Sequence, residues 1–164
     1  MEMQDLDLWS TALWNDPVFL GEYPKVVAEA FEKSHLKPRA GDMETICQPL
    51  DFYGANIYNA GIVKAGPNGT IENVPHHLGM GRTIYHWPLT PSARYWGPKF
   101  FYETYKKPIV ITENGMGLSD WVALDGKVHD PQRIDFLHRY IREFQRAGED
   151  GVEIKGYFQW SFMD

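Results

Sequence analysis

The chain has 164 residues, of which 43% are hydrophobic and 15% aromatic. Such a composition is too rich in large apolar side chains for a disordered chain and supplies enough material for one packed core. Sixteen Lys and Arg against 22 Asp and Glu leave a net charge of -6, which argues against nucleic acid or an anionic membrane surface as the main partner. In chain order, Pro24 to about Lys33 reads as a helix with proline in its first turn. Asp51 to Asn56 reads as a buried strand. A long loop is expected from about Ala60 to Pro88; its Asn68-Gly69-Thr70 fits a glycosylation sequon and reads as a chance match in a turn. Pro91 to about Tyr105 reads as a helix capped by Thr90, starting late or bending at Pro98.

Ile109-Val110-Ile111-Thr112 is an apolar, β-branched run between Pro108 and Asn114-Gly115, the pattern of a strand covered on both faces. A second loop runs from Gly115 to Asp130. Pro131 to about Ala147 is the clearest helix, with Asp130 as N-cap and Gly148 as stop. Ile134, Leu137, Ile141 and Phe144 fall on one face with Tyr140 beside them, and Asp135 and Arg139 are spaced to pair. Ile154 to Trp160 reads as the last strand. Helices and strands alternate, which predicts a parallel α/β fold.

In such folds the loops after the strands build the site, because the C-terminal strand ends share one face. Here the first strand ends at Asn56 and Tyr58, the second at Glu113 and the third at Trp160. From the local sequence Glu113 is either a solvated residue of an Asn-Gly turn or a placed carboxylate. Context favours the second reading: Tyr58 is positioned to donate a hydrogen bond, and Trp160 to wall the site. Aromatic platforms around a carboxylate suit sugar chemistry, since apolar sugar faces pack on rings while carboxylates act at the glycosidic bond.

Ile111-Thr112-Glu113-Asn114-Gly115 resembles the nucleophile motif of glycoside hydrolase family one, the β-glucosidase family. Matches run in order along nearly the whole chain. Asp16-Pro17-Val18-Phe19-Leu20-Gly21-Glu22-Tyr23-Pro24 resembles the stretch ahead of the family's strand six, and Asp51 to Tyr58 that strand. Trp87 to Pro91 with Tyr95-Trp96-Gly97-Pro98 resembles the approach to helix six. Asp125 to Asp130 with Arg133-Ile134 resembles the loop and start of helix seven, and Lys155 to Ser161 resembles strand eight. Two departures stand out: Ile57, where the family often has a second aromatic, and His86, where a small residue is common.

The resemblance implies a partial (β/α)8 TIM barrel, about strands six to eight with their helices, making residues 1–164 an incomplete barrel domain and a fragment of a larger catalytic domain. It implies retaining hydrolysis of terminal β-glycosidic bonds through a covalent glycosyl-enzyme. Glu113 would be the nucleophile and Tyr58 the residue that orients it. Asn56, Trp87 and Trp160 would bind substrate, Trp87 on the leaving-group side and Trp160 under the cleaved sugar. The family's acid/base glutamate lies in an Asn-Glu-Pro motif that this chain lacks, so the chain alone is expected to be inactive. The alternative is a non-catalytic sugar-binding or half-barrel assembly fragment, self-associating or complementing another piece through exposed sheet edges. No cofactor is implied. The single cysteine, Cys47, excludes an intrachain disulfide framework, and the histidines, His76-His77 included, lack metal-ligand spacing. The acidic start from Met1 to Leu8 lacks signal-peptide character and no apolar run is of membrane-spanning length, so a cytoplasmic protein with neither membrane nor nucleic acid as partner is expected.

Overall fold

The structure, a computed structural model, describes residues 11–34, 38–161 and 163. Met1–Leu8, read above for a signal, and Phe162 and Asp164 at the end of the last motif lie outside the described residues. The chain divides into two compact units, residues 1–51 and 52–164. Among the described residues no helix is long and apolar enough to cross a membrane.

The first unit holds α1 (Thr11–Phe19), α2 (Lys25–Ser34) and α3 (Asp42–Ile46). Only α2 was expected. It starts one residue after Pro24, whose carbonyl accepts the Val27 and Ala28 amides at 2.9 and 3.0 Å. Val27 is fully buried, and Tyr23 meets Phe31 edge to face at 5.0 Å. α1 continues through Pro17, which left no helical signal in the sequence because an internal proline ordinarily argues against one.

The second unit holds β1 (Tyr53–Asn56), β2 (Ile62–Ala65), β3 (Ile71–Val74), α4 (Ala93–Tyr105), β4 (Ile109–Asn114), α5 (Pro131–Glu149) and β5 (Ile154–Gln159). β1, β4 and β5 form a parallel sheet in the order β1-β4-β5, as the alternation predicts. Tyr53 pairs with Ile109 and Ala55 with Ile111; a bulge after Ala55 then brings Asn56 beside Glu113. The segment expected to be one loop contains an antiparallel hairpin, β2 with β3, around a turn in which Asn68 adopts a left-handed φ of 57°.

One sheet face is covered. Tyr53 stacks on Phe101 and Tyr105 of α4 at 4.5 and 5.4 Å, while Ile109 and Ile111 are fully buried. Gly54, Asn56 and Thr112 lie on the opposite face and are exposed, with the Thr112 hydroxyl donating to Asn56 Oδ1 at 2.6 Å. Helices thus cover one side of the sheet, while the other side, apart from the buried Val110, presents these exposed residues.

Three local expectations are corrected. Thr90 does not cap α4, whose N-cap is Ser92; the Thr90 hydroxyl instead accepts the Ala60 amide at 2.8 Å and its own amide donates to Tyr140 Oη at 2.8 Å. The buried stripe of α5 is Phe136, Tyr140, Phe144 and Ala147, while Ile134 and Ile141 are exposed. The aromatic stripe wins because Phe136 and Tyr140 stack at 3.9 Å against Met116, burying more area than the aliphatic one. Gly148 does not stop α5: the helix runs to Glu149 and the chain reverses at Gly151, whose φ of 93° is left-handed. The expected Asp135–Arg139 pair forms at 2.7 Å.

Candidate active site

The ends of β1, β4 and β5 meet on one face. Glu113, near the end of β4, accepts a hydrogen bond at Oε2 from Tyr58 Oη at 2.8 Å, two residues beyond β1. Both line a cavity of about 320 Å³, together with Trp87, Trp160 and Tyr85. Trp87 packs on Tyr58 at 5.2 Å and on Tyr85 at 5.3 Å. The result is one half-buried carboxylate among four aromatic rings, a surface with the chemistry to seat an apolar ring face beside a carboxylate. Among the described residues no second carboxylate lines this cavity. Nor does any group of three or more His, Cys, Asp or Glu among them gather as for a metal ion.

Four of the five candidate residues thus converge: Glu113, Tyr58, Trp87 and Trp160. Asn56 does not join them. Its side chain bonds Thr112 and lines a neighbouring cavity that shares Tyr58 and Trp87 as walls.

A small hairpin that the sequence did not announce aims Trp87. The Leu89 amide donates to the Gly81 carbonyl at 2.9 Å and the Thr83 amide to the Trp87 carbonyl at 3.0 Å, while Arg82 Nη1 donates to the His86 carbonyl at 2.8 Å. His86, the residue noted as a departure, takes a left-handed φ of 61° at the tip.

The chain matches the model of Glycosyl hydrolase family 1 over residues 2–164. It belongs to that family. A 1,4-beta-D-glucan glucohydrolase of Thermotoga neapolitana is 41% identical over 155 residues, covering 93% of this chain and 36% of the relative. Beta-glucosidase A of Thermotoga maritima is 36% identical over 154 residues, covering 93% of this chain and 34% of the relative. The solved structure of a beta-glucosidase from Thermotoga maritima in complex with castanospermine superposes with a TM-score of 0.75 at 36% identity, over 92% of this chain and 34% of that one. The chain therefore spans about a third of the length of the family 1 relatives it matches. Its three parallel strands and their helices are a part of the family's (β/α)8 barrel.

Asn114 ties the strand ends together behind Glu113 and was not singled out from the sequence, where Asn-Gly reads as a turn. It is the last residue of β4 and fully buried. Its Nδ2 donates to the Ile57 carbonyl at 2.8 Å, its Oδ1 accepts the Tyr157 hydroxyl at 2.9 Å, and its carbonyl accepts the Trp160 amide at 2.9 Å. One side chain thereby fastens the ends of all three strands just beyond Glu113. A polar residue ending an apolar strand was the available signal. Burial pushes the Tyr157 phenol above the usual tyrosine value, and the neighbouring Arg94 charge opposes the rise. Arg94 itself is fully buried, its guanidinium over the rings of Phe144 and Tyr157 at 4.7 and 5.0 Å.

Proposed function

We propose that this chain is the nucleophile-bearing portion of a retaining β-glucosidase-type hydrolase acting on β-linked glucosides. The observation that carries the reading is the hydrogen bond from Tyr58 Oη to Glu113 Oε2 at 2.8 Å inside an aromatic-walled cavity. Glu113 attacks the anomeric carbon and the bond to the leaving oxygen breaks, giving a covalent glycosyl-enzyme that water then hydrolyses. Tyr58 orients the attacking carboxylate. Trp160 carries the apolar face of the cleaved sugar and Trp87 the leaving-group side. Protonating the leaving oxygen requires a second carboxyl about 5 Å from the first. It is supplied by sequence outside these residues, which form an incomplete barrel domain, and the chain alone does not turn over. The name of the Thermotoga neapolitana relative supports β-1,4-linked glucose as the first substrate to assay.

The test is to treat the full-length protein that carries this chain with a 2-fluoro β-glucoside inactivator and map the adduct by peptide mass spectrometry. Label on Glu113, and its loss in Glu113→Gln, is expected. Label on another residue overturns the assignment.

The exposed Gly54, Asn56 and Thr112 on one sheet face and the two edge strands, β1 and β5, favour a second reading for the chain by itself: an assembly piece that pairs with a complementary half or a second copy. Sedimentation of the purified 164-residue chain decides it, a monomer counting against.

A further inference from the structure

Gly115, Met116 and Gly117 follow directly on Glu113 and Asn114 and form a continuous wall of the Glu113 cavity. They lie past the end of β4, beyond the strand ladder. Bonds from three elements hold this stretch instead. The Asn114 carbonyl accepts the Trp160 amide from the end of β5 at 2.9 Å, and the Gly117 carbonyl accepts the Ile84 amide from the 81–89 hairpin at 3.0 Å. Between them the Met116 carbonyl accepts Nε of Arg133, the third residue of α5, at 2.9 Å. The first two bonds run from backbone to backbone. The third comes from a side chain, so one substitution removes it.

The guanidinium is itself fixed where it meets the wall. Nη1 donates to Asp130 Oδ1 at 2.9 Å and Nη2 to Asp120 Oδ2 at 2.7 Å, and the side chain is 11% exposed. Two carboxylates set the plane of the fork, and Nε is left aimed at one carbonyl. A lysine ammonium is a single point of charge and does not reach all three acceptors in these directions. The two functions of the side chain are therefore separable: the ion pairs hold the arginine, and Nε holds the wall. Farther along α5, Phe136 and Tyr140 bury the Met116 side chain, so one helix pins both the backbone and the side chain of this residue. A Cβ on Gly117 would meet the side chains of Ile84 and Tyr85 at 3.0 and 3.1 Å, so a shift of the wall presses on the hairpin that carries Trp87.

We propose that Arg133 is a positioning residue for the attack by Glu113, acting through its Nε bond to the Met116 carbonyl. The proposal rests on the assignment of Glu113 as the nucleophile. Arg133 lies outside the lining of the Glu113 cavity and works only by holding the wall that joins Glu113 to the Trp160 and Trp87 segments. Attack requires the carboxylate oxygen and the anomeric carbon aligned about 3–3.5 Å apart, and a misplacement of about 1 Å costs on the order of a hundredfold in rate. A loosened wall spreads that geometry while the rings that seat the sugar remain. The loss therefore falls on the rate of attack more than on binding.

The experiment measures the attack step alone, as the saturating rate of inactivation of the full-length protein by the 2-fluoro β-glucoside, beside the denaturation midpoint of each variant. Arg133→Lys keeps a cation between Asp120 and Asp130 but gives up the bond to Met116. Its inactivation rate falls about tenfold or more, while the half-saturating concentration changes by less than about threefold. Asp120→Asn removes one charge of the ion pairs but leaves Nε on the carbonyl. Its midpoint falls at least as far as that of Arg133→Lys, yet its inactivation rate stays within about twofold of wild type. Rate and stability thus part in opposite directions in the two variants. An Arg133→Lys rate within about twofold of wild type, or a rate in Asp120→Asn that falls as far as in Arg133→Lys, overturns the proposal. Adduct mapping is scored separately: a labelled Glu113 with an unchanged rate in Arg133→Lys defeats the positioning role alone, and an unlabelled Glu113 in the wild type defeats the nucleophile assignment beneath it.

Discussion

A Cβ on Gly115 would stand 1.7 Å from the carbonyl oxygen of Trp160. That oxygen belongs to the backbone and cannot swing away, so the segment after Glu113 and the segment after β5 touch only because residue 115 has no side chain. The contact locks Trp160 beside the carboxylate. Gly115→Ala is therefore expected to force the two strand ends apart. In the full-length protein kcat/KM for an aryl β-glucoside falls at least about a hundredfold, and stability drops by about 2–4 kcal/mol in chemical denaturation. Wild-type activity in this variant would show that the two strand ends separate freely.

Tyr58 holds Glu113 through one hydrogen bond to a carboxylate oxygen, at 2.8 Å. A hydrogen bond to a charged group is worth about 1.5–3 kcal/mol, so Tyr58→Phe is expected to lower kcat by about ten- to a hundredfold. The ring stays against Trp87, so KM changes much less than kcat. A KM effect with kcat intact would give Tyr58 to binding rather than to orienting the nucleophile.

Asn114 is the fastening behind the carboxylate. Asn114→Ala leaves the Ile57 carbonyl and the Tyr157 hydroxyl without their partner in the interior, and is expected to cost about 2–4 kcal/mol. Tyr157→Phe removes one end of the same link. The two substitutions together cost less than their sum, with a coupling of about 0.5–3 kcal/mol in a double-mutant cycle. Strict additivity would break the link.

Local patterns located the elements that hold the site, and resemblance supplied its roles. Parallel strands end on one face, so an α/β alternation sufficed to bring Tyr58, Glu113 and Trp160 together from widely separated positions. Trp87 was anticipated only through resemblance. The hairpin that aims it rests on backbone bonds from the Leu89 amide to the Gly81 carbonyl and from the Thr83 amide to the Trp87 carbonyl, which leave no periodic side-chain signal. Asn56 shows the limit of strand-end reasoning. It sits in the expected strand, but the bulge after Ala55 and the bond from Thr112 keep it out of the Glu113 cavity. The buried face of α5 was misjudged for a different reason. Two stripes share helical spacing, and only the presence of Met116 and Thr90 against Tyr140 selects the aromatic one.

Arg94 stands between α5 and β5 at a real cost. Its three side-chain nitrogens are buried and make no hydrogen bond among the described residues, and burial pushes the guanidinium down to about 10. A base depressed in this way binds fewer protons folded than unfolded. Its charge therefore opposes folding fully below about pH 10, and the opposition fades as the pH rises through that value. The penalty is on the order of 3 kcal/mol. Ring contacts to Phe144 and Tyr157 at 4.7 and 5.0 Å return about 1 kcal/mol each. The net favours an apolar replacement: Arg94→Met is expected to raise stability by about 1 kcal/mol at pH 7, with the advantage shrinking above about pH 10. Paired denaturation curves of the full-length protein and the variant at the two pH values measure both the gain and its decline. A variant less stable than wild type at pH 7 would mean that the stacked guanidinium stabilises more than its desolvation costs.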